Sequence, residues 1–223
     1  MTLSLQSFGA YFQGIPEAQC NYGIMLSIGR GVARCDVEAA KWFKGAAGQG
    51  HANAQCHLVF SYTHGRGVAK NYVEAVRWCR EGAIQGDMHA QLYLASLYSH
   101  GWGVVQSNVE LARWCKTAAD QGFPHAQCAL GGLYLGGRGV AQSDLEAFEC
   151  YKKAALQGHA GAQSHLGYMY AEGRGVAQSD DEAYRWFKKS AEQGIQTGLR
   201  NLASLNSDGD QDNTGPEGPE PDG

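Results

Sequence analysis

Five glutamates recur at one spacing, Glu38, Glu74, Glu110, Glu146 and Glu182, and carboxylates so ordered raise the prospect of general acid–base chemistry. In four copies the glutamate stands three residues after an Asn or Ser: Asn71, Ser107, Ser143 and Ser179. That spacing is a capping box, in which the first side chain accepts from the third helical amide and the carboxylate answers. Cys35 holds the place in the first copy, with Asp36 the expected substitute. A catalytic acid is needed once, so five copies argue for five helix starts.

Eight histidines and seven cysteines raise a metal site in turn. Cys56, His57 and His64, with Cys79 further on, come nearest to a cluster. His57 and His64 would share a helix face yet lie about 10 Å apart along it. The chain has no Cys-x-x-Cys, no His-Glu-x-x-His and no repeated Cys–His pairing, so no metal and no cofactor is expected. The Gly-x-Gly pairs, such as Gly65/Gly67 and Gly173/Gly175, lack the preceding strand and third glycine of a dinucleotide site. They read as helix stops and tight loops.

The elements that must hold these residues follow from a strict internal period. Ala18-Gln19, Ala54-Gln55, Ala90-Gln91, Ala126-Gln127 and Ala162-Gln163 are each displaced by 36 residues, without insertion. The same step relates Gly29, Gly65, Gly101, Gly137 and Gly173, and the Gln-Gly pairs ending at Gly50, Gly86, Gly122, Gly158 and Gly194. Repeats are therefore expected over 15–50, 51–86, 87–122, 123–158 and 159–194. Each carries two helices of about 12 residues, individually marginal in water and stabilised by stacking. In the second repeat Ala54, Leu58, Ser61 and Tyr62 form the core stripe of the first helix, and Gly65 ends it with positive φ. The second helix is expected to bury Ala75, Trp78 and Ala83. Trp42, Trp78, Trp114 and Trp186 share one site, where the fourth repeat has Cys150 and Tyr151 is expected to compensate.

Composition narrows the function further. With 31 glycines against five prolines the chain is neither collagen-like nor generically disordered. Of its 22 acidic residues six lie after Leu205, which leaves the remainder close to neutral against 18 Lys and Arg. That excludes the concentrated basic face a nucleic acid requires. No apolar run is long enough to span a membrane, and Met1 to Gly14 lacks the pattern of a secretion signal. The odd cysteine count at no paired spacing suggests reduced thiols and a cytoplasmic setting, with signal-independent export left open.

From His159 to Gly194 the chain carries Ala162, Leu166, Gly167, Tyr170, Gly173, Gly175, Val176, Asp180, Ala183, Trp186, Ala191 and Gly194. In this pattern it resembles the Sel-1-like repeat family, a relative of the tetratricopeptide repeat. The resemblance covers about four-fifths of the chain. It implies an all-α, α-α superhelix: a right-handed solenoid of paired antiparallel helices, used as an adaptor in protein complexes. Some disulfide-rich relatives have been linked to penicillin binding or β-lactamase activity. The chain shows neither their cysteines eight residues apart nor a Ser-x-x-Lys motif, so an enzyme is not expected.

Residues 1–14 align with a degenerate second helix and 195–205 with a capping first helix, while 206–223 read as a disordered acidic tail. Function is then sought where the repeats differ. Three positions opposite the core stripe of the first helices, on the concave side that the resemblance implies, carry His57, Tyr93 and His165; Phe60 and Tyr168; His64 and His100. Aromatic and imidazole side chains there suit a protein-binding surface that grips a peptide or helix segment of another protein. The alternatives are packing against the neighbouring helix, a cell-wall or β-lactam hydrolase, and a self-associating array. No small-molecule substrate is expected. The loop residues Arg30, Arg66, Trp102, Arg138 and Arg174 would line one edge, solvated or facing acidic groups such as the tail.

Overall fold

The computed structural model describes residues 14–209, with side chains described as far as residue 203. Every regular element among them is an α-helix. The chain divides into two compact bodies, Met1–Gln121 and Gly122–Gly223. The first contains α1 (Pro16–Ile28), α2 (Asp36–Ala47), α3 (Ala52–His64), α4 (Tyr72–Ile84), α5 (Met88–His100) and α6 (Asn108–Asp120). The second contains α7 (Pro124–Gly136), α8 (Asp144–Leu156), α9 (Ala160–Ala171), α10 (Asp180–Glu192) and α11 (Gln196–Gly209). Within each body consecutive helices pack in hairpins, and the second helix of one repeat packs on the first helix of the next.

The helix boundaries are chemical. Pro16 and Pro124 open α1 and α7, where an amide would have had no helical partner. Gly65 closes α3 at φ 70°, a conformation costly for any residue with a Cβ. Asn71, Ser107, Ser143 and Ser179 cap α4, α6, α8 and α10 by accepting from the amide three residues on. The other half of the box differs from expectation. The N-cap amides of Cys35, Asn71, Ser107, Ser143 and Ser179 donate to the carbonyls of Leu26, Tyr62, Tyr98, Tyr134 and Tyr170 on the preceding helix, at 3.0, 2.9, 3.1, 3.1 and 3.0 Å. Each hairpin is thereby locked, and the freed carboxylates of Glu38, Glu74, Glu110 and Glu182 pair with Lys41, Arg77, Arg113 and Arg185 three residues on. Cys35 makes no side-chain cap, and Asp36 is drawn instead to Arg34 and Arg66.

The tryptophan site also differs from expectation. Trp42, Trp78 and Trp186 are only half-buried, and cations cover Trp78, Trp114 and Trp186: Arg77, Arg113 and Lys189 stand 4.8, 5.1 and 4.3 Å from the rings. The deep position is the next residue, occupied by Phe43, Cys79, Cys115, Tyr151 and Phe187. Tyr151 therefore holds its own repeat position and does not replace a tryptophan. An indole is long and carries an N–H that prefers a partner, whereas the deep site accepts a phenyl ring or a thiol.

A second regularity ties the end of each second helix to the first helix of its own repeat. Gln49, Gln85, Gln121, Gln157 and Gln193 donate to Gln19, Gln55, Gln91, Gln127 and Gln163, at 2.9, 3.4, 2.8, 2.9 and 2.8 Å. The acceptors are buried, and the amides of Gln55, Gln91 and Gln163 donate onward to Ala47, Ala83 and Ala155. Those carbonyls end the preceding helix, and the side-chain amides join the backbone amides of Gly50, Gly86 and Gly158, which donate to the same oxygens at 3.0, 3.2 and 3.0 Å. At the C-terminal end α11 runs to Gly209 rather than stopping at 205, because the polar residues after Asn206 do not themselves break a helix before that glycine. The expected half-repeat before Gly14 and the tail beyond Gly209 lie outside the described residues.

Candidate functional site

The first-helix residues singled out above fall into two groups. One lies in the seam between repeats. His57 on α3 stacks on Phe43 of α2 with centroids 4.5 Å apart and planes 8° off parallel, and His165 on α9 stacks on Tyr151 of α8 at 4.7 Å and 24°. Loss of hydration lowers the pKa of both rings, favouring the neutral imidazole. Tyr93 shares this row, with its hydroxyl 3.2 Å from the Thr63 hydroxyl on the preceding first helix. These residues carry inter-repeat packing, the alternative weighed for this row, while Tyr93 and His165 keep an exposed edge.

The other group stands free of the core. Phe60 is 42% exposed and Tyr168 40%. His64 stacks on Phe60 at 4.2 Å, and its Nδ1 lies 3.0 Å from the Phe60 carbonyl. His100 stacks on Trp102 at 4.4 Å, and Trp102 stacks on Tyr72 at 5.2 Å.

Loop arginines complete each site. Arg66 lies over the Phe60 ring at 5.6 Å and reaches Asp36 at 3.7 Å. Arg174, which also bonds Tyr168, forms a two-pronged pair with Asp144 at 2.7 and 3.1 Å. Where the third repeat has Trp102 in place of arginine, the opposing residue is Tyr72 in place of aspartate, and the stack replaces the ion pair. Reading the arginines as a solvated row missed this pairing. Its signal is a 30-residue offset, the same that joins the glutamine pairs.

The loop is held close enough for this. At Gly67 and Gly175 the backbone has φ near 70°, and a Cβ would collide with the first turn of α2 or α8. Around Phe60 the surface opens into two clefts. A cleft of ≈ 370 Å³ is walled by Phe43, His57 and Phe60, with Asp36 and Arg66 at one end. A smaller one of ≈ 90 Å³ runs between Phe60, Trp78 and Tyr93. Cys56 lines both. Burial pushes its thiol up to about 11, so at neutral pH it is protonated and weakly nucleophilic. The Thr63 hydroxyl lies 2.9 Å from His64 Nδ1 but is committed to the backbone carbonyls of Val59 and Phe60 at 2.8 and 3.0 Å. No group of three metal-ligating side chains occurs among the described residues.

Stacked helix hairpins, tied by recurrent glutamine pairs and carrying an exposed aromatic–arginine edge, define a helical-repeat protein. Sel1 repeats match residues 16–51, 52–87, 89–123, 124–159 and 160–195, and the chain belongs to the Sel1 repeat family. It is similar to c5321, described as a protective antigen of uropathogenic Escherichia coli displaying an SLR fold, at 35% identity and a TM-score of 0.86 over 92% of this chain. The chain spans 44% of the length of that antigen. A Sel1 repeat protein from Oxalobacter formigenes is 32% identical, with a TM-score of 0.80 over 92% of this chain and 84% of its own. A putative Sel1 repeat protein from Klebsiella pneumoniae shares the fold at 20% identity and a TM-score of 0.52, over 91% of this chain and 97% of its own. No curated protein matches the sequence. The expected all-α repeat solenoid class stands on these matches and on the helices described above.

Proposed function

We propose that the chain is a protein-interaction scaffold whose first-helix face holds a segment of a partner protein. The observation that carries this reading is the exposure of Phe60 and Tyr168 on the first helices, each shouldered by an arginine. Large aromatic side chains left in water cost apolar hydration, and aromatic and Arg side chains dominate binding hot spots. Among the described residues the repeated features serve caps, hinges and registers, and the Cys56 thiol in the clefts is held protonated by burial, which favours a scaffold over a hydrolase. Seven cysteines at no paired spacing fit a reducing setting such as the cytoplasm.

The test is site-specific crosslinking of the tagged chain in its native cell, with and without F60A/Y168A. Partners crosslinked by the parent and lost from the double variant, at an unchanged melting temperature, support the reading. An identical set of crosslinked proteins from both would sink it.

A further inference from the structure

The mouth of the larger cleft carries an unbalanced charge, and this points to the chemistry of its occupant. Asp36 is the one carboxylate lining the cleft, and it is shared by two guanidinium groups: Arg34 at 3.1 Å and Arg66 at 3.7 Å. In the C-terminal body the equivalent Asp144 serves Arg174 alone, in a close two-pronged pair. Arg66 is thus held loosely by one edge, with its side chain 43% exposed beside the Phe60 ring. Glu38, also on α2, is taken by Lys41 at 2.6 Å and does not offset the excess. His57 on the wall is biased towards its neutral form by desolvation.

Inside this rim the cleft presents mostly apolar surface, with the exposed Phe60 beside His57 and Cys56 and two serines, Ser27 and Ser61, among its walls, and its ≈ 370 Å³ falls in the range of ligand pockets, about 300–1,000 Å³. An occupant must bring an apolar side chain for the cleft and an anion for the spare guanidinium capacity. Resting on the scaffold reading, we propose that the cleft between α2 and α3 takes an acidic peptide: a partner segment with an aromatic or large aliphatic side chain next to an Asp or Glu. The apolar side chain packs on the exposed Phe60 beside His57, and the carboxylate accepts from Arg66 while Arg34 keeps Asp36 neutralised. Guanidinium supplies a flat, two-pronged donor suited to a carboxylate.

The sign of a second substitution separates recognition from support. If Arg66 merely anchors its loop, removing Asp36 weakens the site; if the arginines are shared between Asp36 and the peptide, removing Asp36 frees them. Random peptides about 12 residues long are displayed and selected on the full chain, and the enriched sequences are synthesised and titrated by fluorescence anisotropy. Enriched peptides are expected to carry Asp or Glu within about three residues of an apolar anchor, adjacent side chains in an extended segment spanning about 10 Å. F60A and R66Q should each weaken binding about tenfold, D36N should tighten it about threefold, and high salt should weaken it. Peptides lost with F60A but indifferent to R66Q and D36N, or lacking acidic residues, overturn the acidic-peptide assignment and leave the scaffold reading standing. Peptides indifferent to Phe60, or no enrichment at all, overturn both.

Discussion

Gly131 lies directly beneath the ring of Tyr151, so close that a Cβ on the glycine would stand 2.9 Å from Cε1 of the ring. The same relationship joins Gly23 to Phe43 and Gly167 to Phe187, where the added Cβ would stand 2.6 and 2.7 Å from the ring. In the second and third repeats the deep residue is the smaller Cys79 or Cys115, and the helix opposite carries Val59 or Ala95. Ring plus glycine and thiol plus methyl-bearing side chain are two solutions to one volume.

This pairing predicts non-additive stability. G131A gains up to about 1 kcal/mol of helix propensity but overpacks the ring at a cost of about 1–3 kcal/mol, so a net loss is expected. Y151C leaves a cavity and costs about 3 kcal/mol or more. The double variant recreates the arrangement of Ala95 and Cys115, so the alanine should cease to be harmful there. Urea unfolding of the four proteins should give a coupling energy of about 1 kcal/mol or more. Costs that simply add would refute the shared-volume account.

The glutamine ladder predicts a sharp asymmetry between its two members. Gln91 is 2% exposed, accepts from Gln121 at 2.8 Å and donates to the Ala83 carbonyl at 3.1 Å. Q91A empties a buried site and deletes both of these bonds, and should cost about 2–3 kcal/mol. Gln121 is exposed, and water can replace its amide, so Q121A should cost less than about 1 kcal/mol. The check is the shift in urea midpoint for each variant, and equal losses would contradict the assigned roles.

These contacts show what the sequence discloses and where it stops. Glycine stops, Asn and Ser caps and the 36-residue period are local, and each was legible because one residue type does one job at one place. The link from Gln91 to Gln121 joins the two helices of one repeat and that from Asp36 to Arg66 joins adjacent repeats, both at a 30-residue offset. Comparison at the repeat period hides such an offset, since it aligns like with like. For the same reason Trp78 stood out as core because it recurs, whereas Cys79, which changes size with its partner, is the residue actually buried. At the candidate site the exposure of Phe60 and Tyr168 agreed with the helical face read from the sequence. The facing of His57 and His165 did not follow from one helix, because Phe43 and Tyr151, which cover them, belong to the preceding repeat.

The imidazoles in these seams predict how stability depends on pH. His57 and His165 have pKa values lowered by desolvation, as does His159, where nearby His125 adds to the effect. His159 also caps α9 by accepting from the Ala162 amide through Nδ1 at 3.0 Å, which requires that nitrogen to be unprotonated. Each group therefore binds its proton more readily in the unfolded chain, where the ordinary value is 6.5. With the unfolded state binding more protons, stability rises with pH. The penalty is absent well above 6.5, grows as pH falls through that value, and levels off below the folded-state values. Melting temperature should accordingly be flat above about pH 7.5 and decline as pH falls through about 6.5. H57F/H165F keeps ring stacking while removing two of the three titrations, so its decline should be shallower. Parallel curves for the parent and the double variant, followed by circular dichroism, would show that the stacked histidines do not carry this dependence.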